Sequence, residues 1–278
     1  MRLRALLFVP GDRPERMEKA LGLGADALIL DLEDAVAAPA KPAARAAVRA
    51  FLDGHASTSG PALFVRVNPL DSAFVADDLA VIAGAGMAGV VLPKAEGRGS
   101  VKTLRAMLPG DYRILPIASE TARAVFTLGN YDGEGLAGLT WGAEDLPAAI
   151  GAATAREADG SYTDPYRVVR ALTLFGAHAA GVPAIETVYP DFRDLDGLAG
   201  YAARGRRDGF TGMMAIHPAQ VPVINAAFSP SEQEIDHARR IVALFDANPG
   251  AGALQMDGRM VDAPHLKAAR RLLAAAGE

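Results

Sequence analysis

Short β-type runs alternate with longer segments of helical periodicity along most of the chain. That alternation constrains the fold more than any other feature, because repeated strand–helix–strand units build a parallel sheet. Candidate strands are Ala5–Val9, Ala27–Leu32, Leu63–Val67, Gly89–Leu92, Arg113–Ile117, Gly138–Trp141, Pro183–Thr187 and Gly212–Ile216. The intervening segments carry apolar residues at helical spacing. In Pro165 to Gly181, for example, Val168, Val169, Leu172, Leu174 and Phe175 precede a glycine suited to a C-cap. Eight such units in roughly 225 residues match a (β/α)8 TIM barrel of the α/β class, with an open doubly wound sheet as the competing fold.

After Phe228 the pattern changes. Ser229-Pro230-Ser231 opens a helix to about Asp246, and Asn248-Pro249-Gly250 ends it. Leu254–Met256, Asp257-Gly258 and Arg259–Val261 read as a hairpin with a two-residue primed turn, and a last helix runs from Ala263 to about Ala276. The expected division is a barrel at 1–228 and a helix–hairpin–helix appendix at 229–278. The appendix is too small to bury its own core and is expected to pack on the barrel or on another subunit.

Composition narrows the class of function. Half the residues are hydrophobic, which suits a folded chain, and the net charge of −5 gives no overall positive field for nucleic acid or an anionic membrane. There is no cysteine, so disulfides, thiolate metal sites and a cysteine nucleophile are excluded. The apolar run Ala5 to Val9 is too short for a signal segment, and no stretch reaches the roughly 18 to 20 apolar residues of a membrane span. A soluble, cytoplasmic protein is expected.

In a parallel barrel the C-terminal strand ends form the active face. Here those ends carry Arg13, then Asp31, Glu33 and Asp34, then Arg66 and Asn68, then Lys94, Glu120, Glu144 with Asp145, Glu186 with Thr187, and His217 with Pro218. Glu120 and Asp145 follow the fifth and sixth strands, and neighbouring strands lie about 4.8 Å apart, so the two carboxylates can converge. Two such anions repel unless a cation separates them. Mg2+, which takes one or two carboxylates and keeps positions for water and substrate, resolves the conflict. The alternative is that Glu144 or Asp145 only caps the helix that follows, and that Glu120 sits in the first turn of its own helix. Arg66 ends an apolar strand, where its planar guanidinium calls for an anion: a substrate carboxylate, or Glu33 or Asp34. Asp31 and Glu33 share one strand face, and some of these acids can orient the basic residues instead of touching substrate. His217 before Pro218 reads more simply as a loop hydrogen bonder than as a base. The other four histidines have no metal-ligand spacing. No glycine-rich nucleotide motif links a strand to a helix.

Several stretches resemble the citrate lyase beta-subunit-like and malyl-CoA lyase-like proteins of the magnesium-dependent HpcH/HpaI aldolase superfamily. They are LLFVPGDRPERMEKA (Leu6–Ala20), ALILDLEDAV (Ala27–Val36), FVRVN (Phe64–Asn68), VVLPKAE (Val90–Glu96), ASETA (Ala118–Ala122), TWGAEDL (Thr140–Leu146), AIHPAQV (Ala215–Val221) and DGRMVDAPHLKAARRLL (Asp257–Leu273). The resemblance implies a (β/α)8 barrel that binds Mg2+ through Glu120 and Asp145, with Arg66 holding a 2-oxo acid. It also implies cleavage or formation of a carbon–carbon bond between that acid and an acyl thioester, from citryl-, citramalyl- or malyl-CoA or an acyl-carrier thioester. His217-Pro218 corresponds to the lining of a CoA channel, with Arg13 near the same mouth.

Asp262 reads from the sequence as an N-cap ahead of Ala263-Pro264. The resemblance makes it the acid/base, delivered by the tail of a neighbouring subunit in a homotrimer or hexamer. Met213 stands where similar proteins often carry lysine, which leaves the usual CoA phosphate contacts open. A thioesterase or pyruvate aldolase of the same superfamily, and a non-catalytic CoA-ester-binding subunit, are the alternatives.

Overall fold

The computed structural model describes residues 1–55 and 60–277. The chain divides into two compact units, Met1–Ala227 and Phe228–Glu278.

The first unit is built on eight parallel strands: β1 (Ala5–Pro10), β2 (Ala27–Asp31), β3 (Ala62–Arg66), β4 (Gly89–Leu92), β5 (Arg113–Pro116), β6 (Leu139–Thr140), β7 (Ala184–Glu186) and β8 (Gly212–Ala215). Their order is β5-β4-β3-β2-β1-β8-β7-β6. Parallel bridges Ile114↔Leu136 and Ile117↔Thr140 join the two ends, so the sheet curls into a barrel rather than an open sheet. Ala118 N–H donates to the Thr140 carbonyl at 2.9 Å across that junction.

At least one helix follows each strand. Lys41–His55, after β2, shows why: Ala44, Val48, Phe51 and Leu52 fall on one face and are buried against the sheet. Asp164–Ala179, after β6, ends where the sequence predicts, with Gly181 at φ +71° taking the left-handed turn that a side chain disfavours. No described helix is long and apolar enough to cross a membrane.

The barrel interior is packed with side chains that alternate along the strands. Leu6, Ile29, Phe64, Val91, Leu115, Ile185 and Met214 belong to one buried cluster. Along β2 and β3 the rows Ala27, Ile29, Asp31 and Ala62, Phe64, Arg66 turn from apolar to charged at their C-terminal ends. Asp31 and Arg66 are register partners on adjacent strands.

β6 is shorter than the expected Gly138–Trp141, and β7 shorter than Pro183–Thr187. The sixth run is flanked by Gly138 and Gly142, both in close contact with neighbouring groups that a Cβ would strike. Close approach, rather than ladder pairing, sets the local path.

In the second unit Ser231 forms a capping box with Glu234 at the start of Glu232–Asp246. An antiparallel hairpin of β9 (Ala253–Met256) and β10 (Arg259–Asp262) follows, then the helix Ala263–Ala276. Contrary to the expectation that this segment is too small to bury a core, Ala238, Ile241, Phe245, Val261 and Ala269 form a small one among these elements.

Candidate active site

A cavity of about 400 Å3 opens at the C-terminal end of the barrel, with Asp31, Arg66, Glu120, Glu144 and Asp145 among its polar lining and Phe8, Ile117, Val188 and Met214 among its apolar walls. The register of β2 and β3 decides what Arg66 does. Its Nε donates to Asp31 Oδ1 at 2.8 Å and Nη2 to Oδ2 at 2.6 Å, a two-pronged carboxylate–guanidinium pair. Asp31 is fixed in turn by the Glu33 and Ala35 amides. Nη1 of Arg66 lies 2.9 Å from Glu33 and 3.5 Å from Asp34, and the guanidinium covers the Phe8 ring. Burial opposes the charge of Arg66, but the Asp31 hydrogen bonds and the surrounding carboxylates outweigh it and hold the group protonated. Asp31 is therefore an orienting partner for the arginine, with Glu33 and Asp34 adding to the same positive group.

Glu120 is only 3% exposed. Thr121, not Glu120, caps the short helix Ala122–Val125, through an Oγ1 that accepts from Ala124 N–H. The Glu120 carboxylate is released from capping and accepts from the Lys94 backbone N–H at 2.5 Å. Lys94 adopts φ +50°, a conformation uncommon for a residue with a side chain. Its ammonium lies 2.9 Å from Glu33 and 3.5 Å from Asp145. Asp145 occupies the N-cap position of Leu146–Ile150, yet its side chain makes no capping hydrogen bond. The helix-start reading of these two acids thus does not describe their side chains. Gly142 makes room for Glu120, since a Cβ there would come within 2.4 Å of Glu120 Cγ.

Burial, together with the charges of Glu33 and Asp145, pushes the Glu120 carboxyl up to about 8, against the pull of the Lys94 amide and ammonium. Burial also raises Glu33, although Arg66 and Lys94 oppose it. Four carboxylates, Asp31, Glu33, Asp34 and Asp145, share two cations, Arg66 and Lys94, through the contacts above, and the carboxyl of Glu120 lies beside them on the Lys94 amide. The surplus is negative and oxygen-only, which suits a hard divalent ion. Among the described residues no three His, Asp or Glu side chains gather closely enough to cage a metal. An ion at Glu120 and Asp145 would therefore complete its shell with water and ligand oxygens, as Mg2+ does.

A family model described as HpcH/HpaI aldolase/citrate lyase matches residues 4–218, more than half the chain. The chain belongs to this family. A second model, C-C_Bond_Lyase of the TIM-Barrel fold, matches residues 167–277. The chain is 41% identical to a citrate lyase subunit beta-like protein of Mycobacterium tuberculosis, over 100% of this chain and 98% of that one. It is 34% identical to a (3S)-malyl-CoA thioesterase of Cereibacter sphaeroides, over 98% and 94%. Among solved structures, CitE of M. tuberculosis in complex with magnesium, acetoacetate and coenzyme A matches with a TM-score of 0.83 and 38% identity, covering 100% of this chain and 99% of that one.

In this HpcH/HpaI aldolase/citrate lyase family chain, Arg66, Glu120 and Asp145 come together in the cavity, whereas Arg13, His217 and Pro218 lie outside its lining. The Arg13 side chain is exposed and 3.6 Å from Asp12. His217 stacks on Phe192 at 4.8 Å between centroids, and its Nδ1 accepts from Ala219 N–H, which places the proton of the neutral ring on Nε2. Asp262, in the second unit, caps the last helix and pairs with His265, whose hydrogen bond holds its carboxyl below the usual range.

Two further groups escape sequence reasoning. Glu186, expected at the rim, is fully buried. It accepts from Trp141 Nε1 at 2.6 Å and from Arg170 Nε at 2.7 Å, Arg170 belonging to the helix that follows β6. Asn68, another rim candidate, is buried and donates to Asp78 and the Leu32 carbonyl. An arginine inside an otherwise amphipathic helix is a signal for such a partner, but it does not say which acid.

Proposed function

We propose that this protein is a Mg2+-dependent carbon–carbon lyase of the cytoplasm. It cleaves or forms a 3-hydroxyacyl thioester, of the citryl-, citramalyl- or malyl-CoA type, against a 2-oxo acid and an acyl thioester. The observation that carries this reading is the buried Glu120, which lines with Asp145 a cavity where carboxylates outnumber cations. The complex of the similar M. tuberculosis CitE with magnesium, acetoacetate and coenzyme A supports the same assignment.

Glu120 and Asp145 would hold the ion. Bound there, Mg2+ supplies a Lewis acid beside the hydroxyl and carboxylate oxygens of the substrate. Arg66, kept in orientation by Asp31, binds the 2-oxo acid carboxylate and offsets charge as the hydroxyl oxygen becomes a carbonyl. Lys94 fixes the Glu120 carboxylate through its amide and adds a second positive charge. Phe8, Ile117, Val188 and Met214 exclude water from the apolar side of the cavity. When the carbon–carbon bond breaks, the acyl half departs as a thioester enolate whose α-carbon needs a proton. Asp262 of a neighbouring copy, a carboxylate at rest, takes up the proton the hydroxyl loses and returns it to that carbon, and the same transfer runs backward in the synthetic direction. That role requires a closed assembly, a homotrimer or a hexamer. Arg13, His217 and Pro218 serve the CoA or acyl-carrier portion.

The 34% identity to a malyl-CoA thioesterase favours one second reading, hydrolysis at the same site. A panel of citryl-, citramalyl- and malyl-CoA assayed with and without Mg2+ separates the two. Lysis gives an acyl-CoA and a 2-oxo acid in equal amounts, and hydrolysis gives free CoA. Turnover that survives both chelation and the Glu120→Gln substitution would refute the metal-dependent reading.

A further inference from the structure

Away from the barrel mouth, Asp164–Ala179 and the helix Leu195–Asp208 flank a second, smaller cavity of about 220 Å3 lined by Tyr162, Arg167, Arg170 and Arg204. Three guanidinium groups crowd so small a space, and the carboxylates present pair with Arg167 and Arg170 and leave Arg204 and a buried donor of Arg170 unmet. Arg170 spends Nε on Glu186 and Nη1 on Asp208, yet its Nη2 is buried with no hydrogen-bond partner. Arg204 lies over the Tyr201 ring, its Nε is buried without a partner, and among the described residues it has no carboxylate within ion-pair distance. Arg167 reaches Asp164 at 3.4 Å and Ser161 at 3.1 Å, both contacts being exposed. Buried donors of a permanently charged group are costly to leave unmet, and a guanidinium presents them in a planar fork matched to oxyanions.

We propose that this cavity is a binding site for a phosphate-class oxyanion, held by Arg167, Arg170 and Arg204. Its volume admits a phosphoryl group but is below the usual range of pockets for larger ligands. A doubly charged tetrahedral anion offers enough acceptor oxygens for the unmet donors of Arg170 and Arg204 together. Free orthophosphate and the phosphoryl end of a small ester share this chemistry.

Calorimetric titration of the full chain with orthophosphate, and separately with glycerol 3-phosphate, tests the site. The parent is expected to take up one anion per chain. Arg204→Leu should weaken binding by about tenfold or more, the loss expected for a hydrogen bond to a charged group. Arg204→Lys, which keeps the charge and loses the fork, should fall between them. Lys94→Met, which removes a cation at the barrel mouth, should leave phosphate affinity unchanged. Should Arg204→Leu not fold, Arg204→Lys and Arg167→Ala supply the same comparison. Uptake of orthophosphate alone assigns the site to the free ion, and equal uptake of the ester assigns it to a phosphoryl end. Absence of saturable binding, or binding lost in Lys94→Met and kept in the Arg204 variants, overturns the proposal.

Discussion

Gly142→Ala puts a methyl group where Glu120 lies. The new Cβ would sit 2.4 Å from Glu120 Cγ and 3.1 Å from both Cδ and Oε1, against an ordinary contact of at least 3.4 Å. Glu120 must therefore retreat by about 1 Å, and it is buried and tied through Oε2 to the Lys94 amide. Gly142 does not have positive φ, so the backbone accepts alanine and the effect is steric. Overpacking of this kind costs about 1–3 kcal/mol, which lowers the melting temperature by roughly 2–4 °C per kcal/mol in a chain of this size. The effect on function should be far larger, since a misplacement of about 1 Å can reduce turnover on the order of a hundredfold. Titration with Mg2+ followed by calorimetry, alongside turnover of the thioester panel, reads both quantities. Gly99→Ala is the control: its Cβ meets nothing within 4 Å, so it should be neutral or slightly stabilising. A Gly142→Ala protein with parental Mg2+ affinity and parental turnover would show that Glu120's position is not what the site depends on.

Three other substitutions probe the supports of the barrel. Asp31→Ala leaves the Arg66 guanidinium without its two-pronged partner and should cost about 3–5 kcal/mol in urea unfolding, whereas loss below 1 kcal/mol would contradict the orienting role. Asp26 accepts three hydrogen bonds from Arg4, which together with Arg2 outweigh burial and hold its carboxyl below the usual range. The stability it contributes is present above the unfolded pKa of about 3.9 and disappears as pH falls through the lower folded value. Asp26→Asn should therefore be less stable at neutral pH and flatter in the acid limb of a denaturation series, and an unchanged acid slope would count against it. Glu186→Gln weakens the buried pair with Arg170 by about 3 kcal/mol. Trp141, the only tryptophan and itself bonded to Glu186, reports the change in fluorescence-monitored unfolding.

Period and apolar runs locate all eight barrel strands and the appendix hairpin, because burial of a sheet face leaves its mark on consecutive residues. Partner choice across strands leaves no such mark. Arg66 shows a need for an anion in its own neighbourhood, but the identity of that anion follows from the pairing of Asp31 with Arg66, a relation between positions 35 residues apart. The same limit hides Glu186. Its place at a strand end suggests the rim, whereas the direction of its side chain depends on local pleat, and it turns instead to Trp141 and Arg170. Asp145 illustrates the reverse case, with a residue type and position that suit a cap and a side chain drawn instead toward Lys94.

The junction between β5 and β6 is sewn by two isolated bridges, where β1 and β2 share five consecutive register pairs. Glu120 and Asp145 follow the strands on opposite banks of that joint. An ion held by both side chains would therefore span the seam at which the sheet closes on itself.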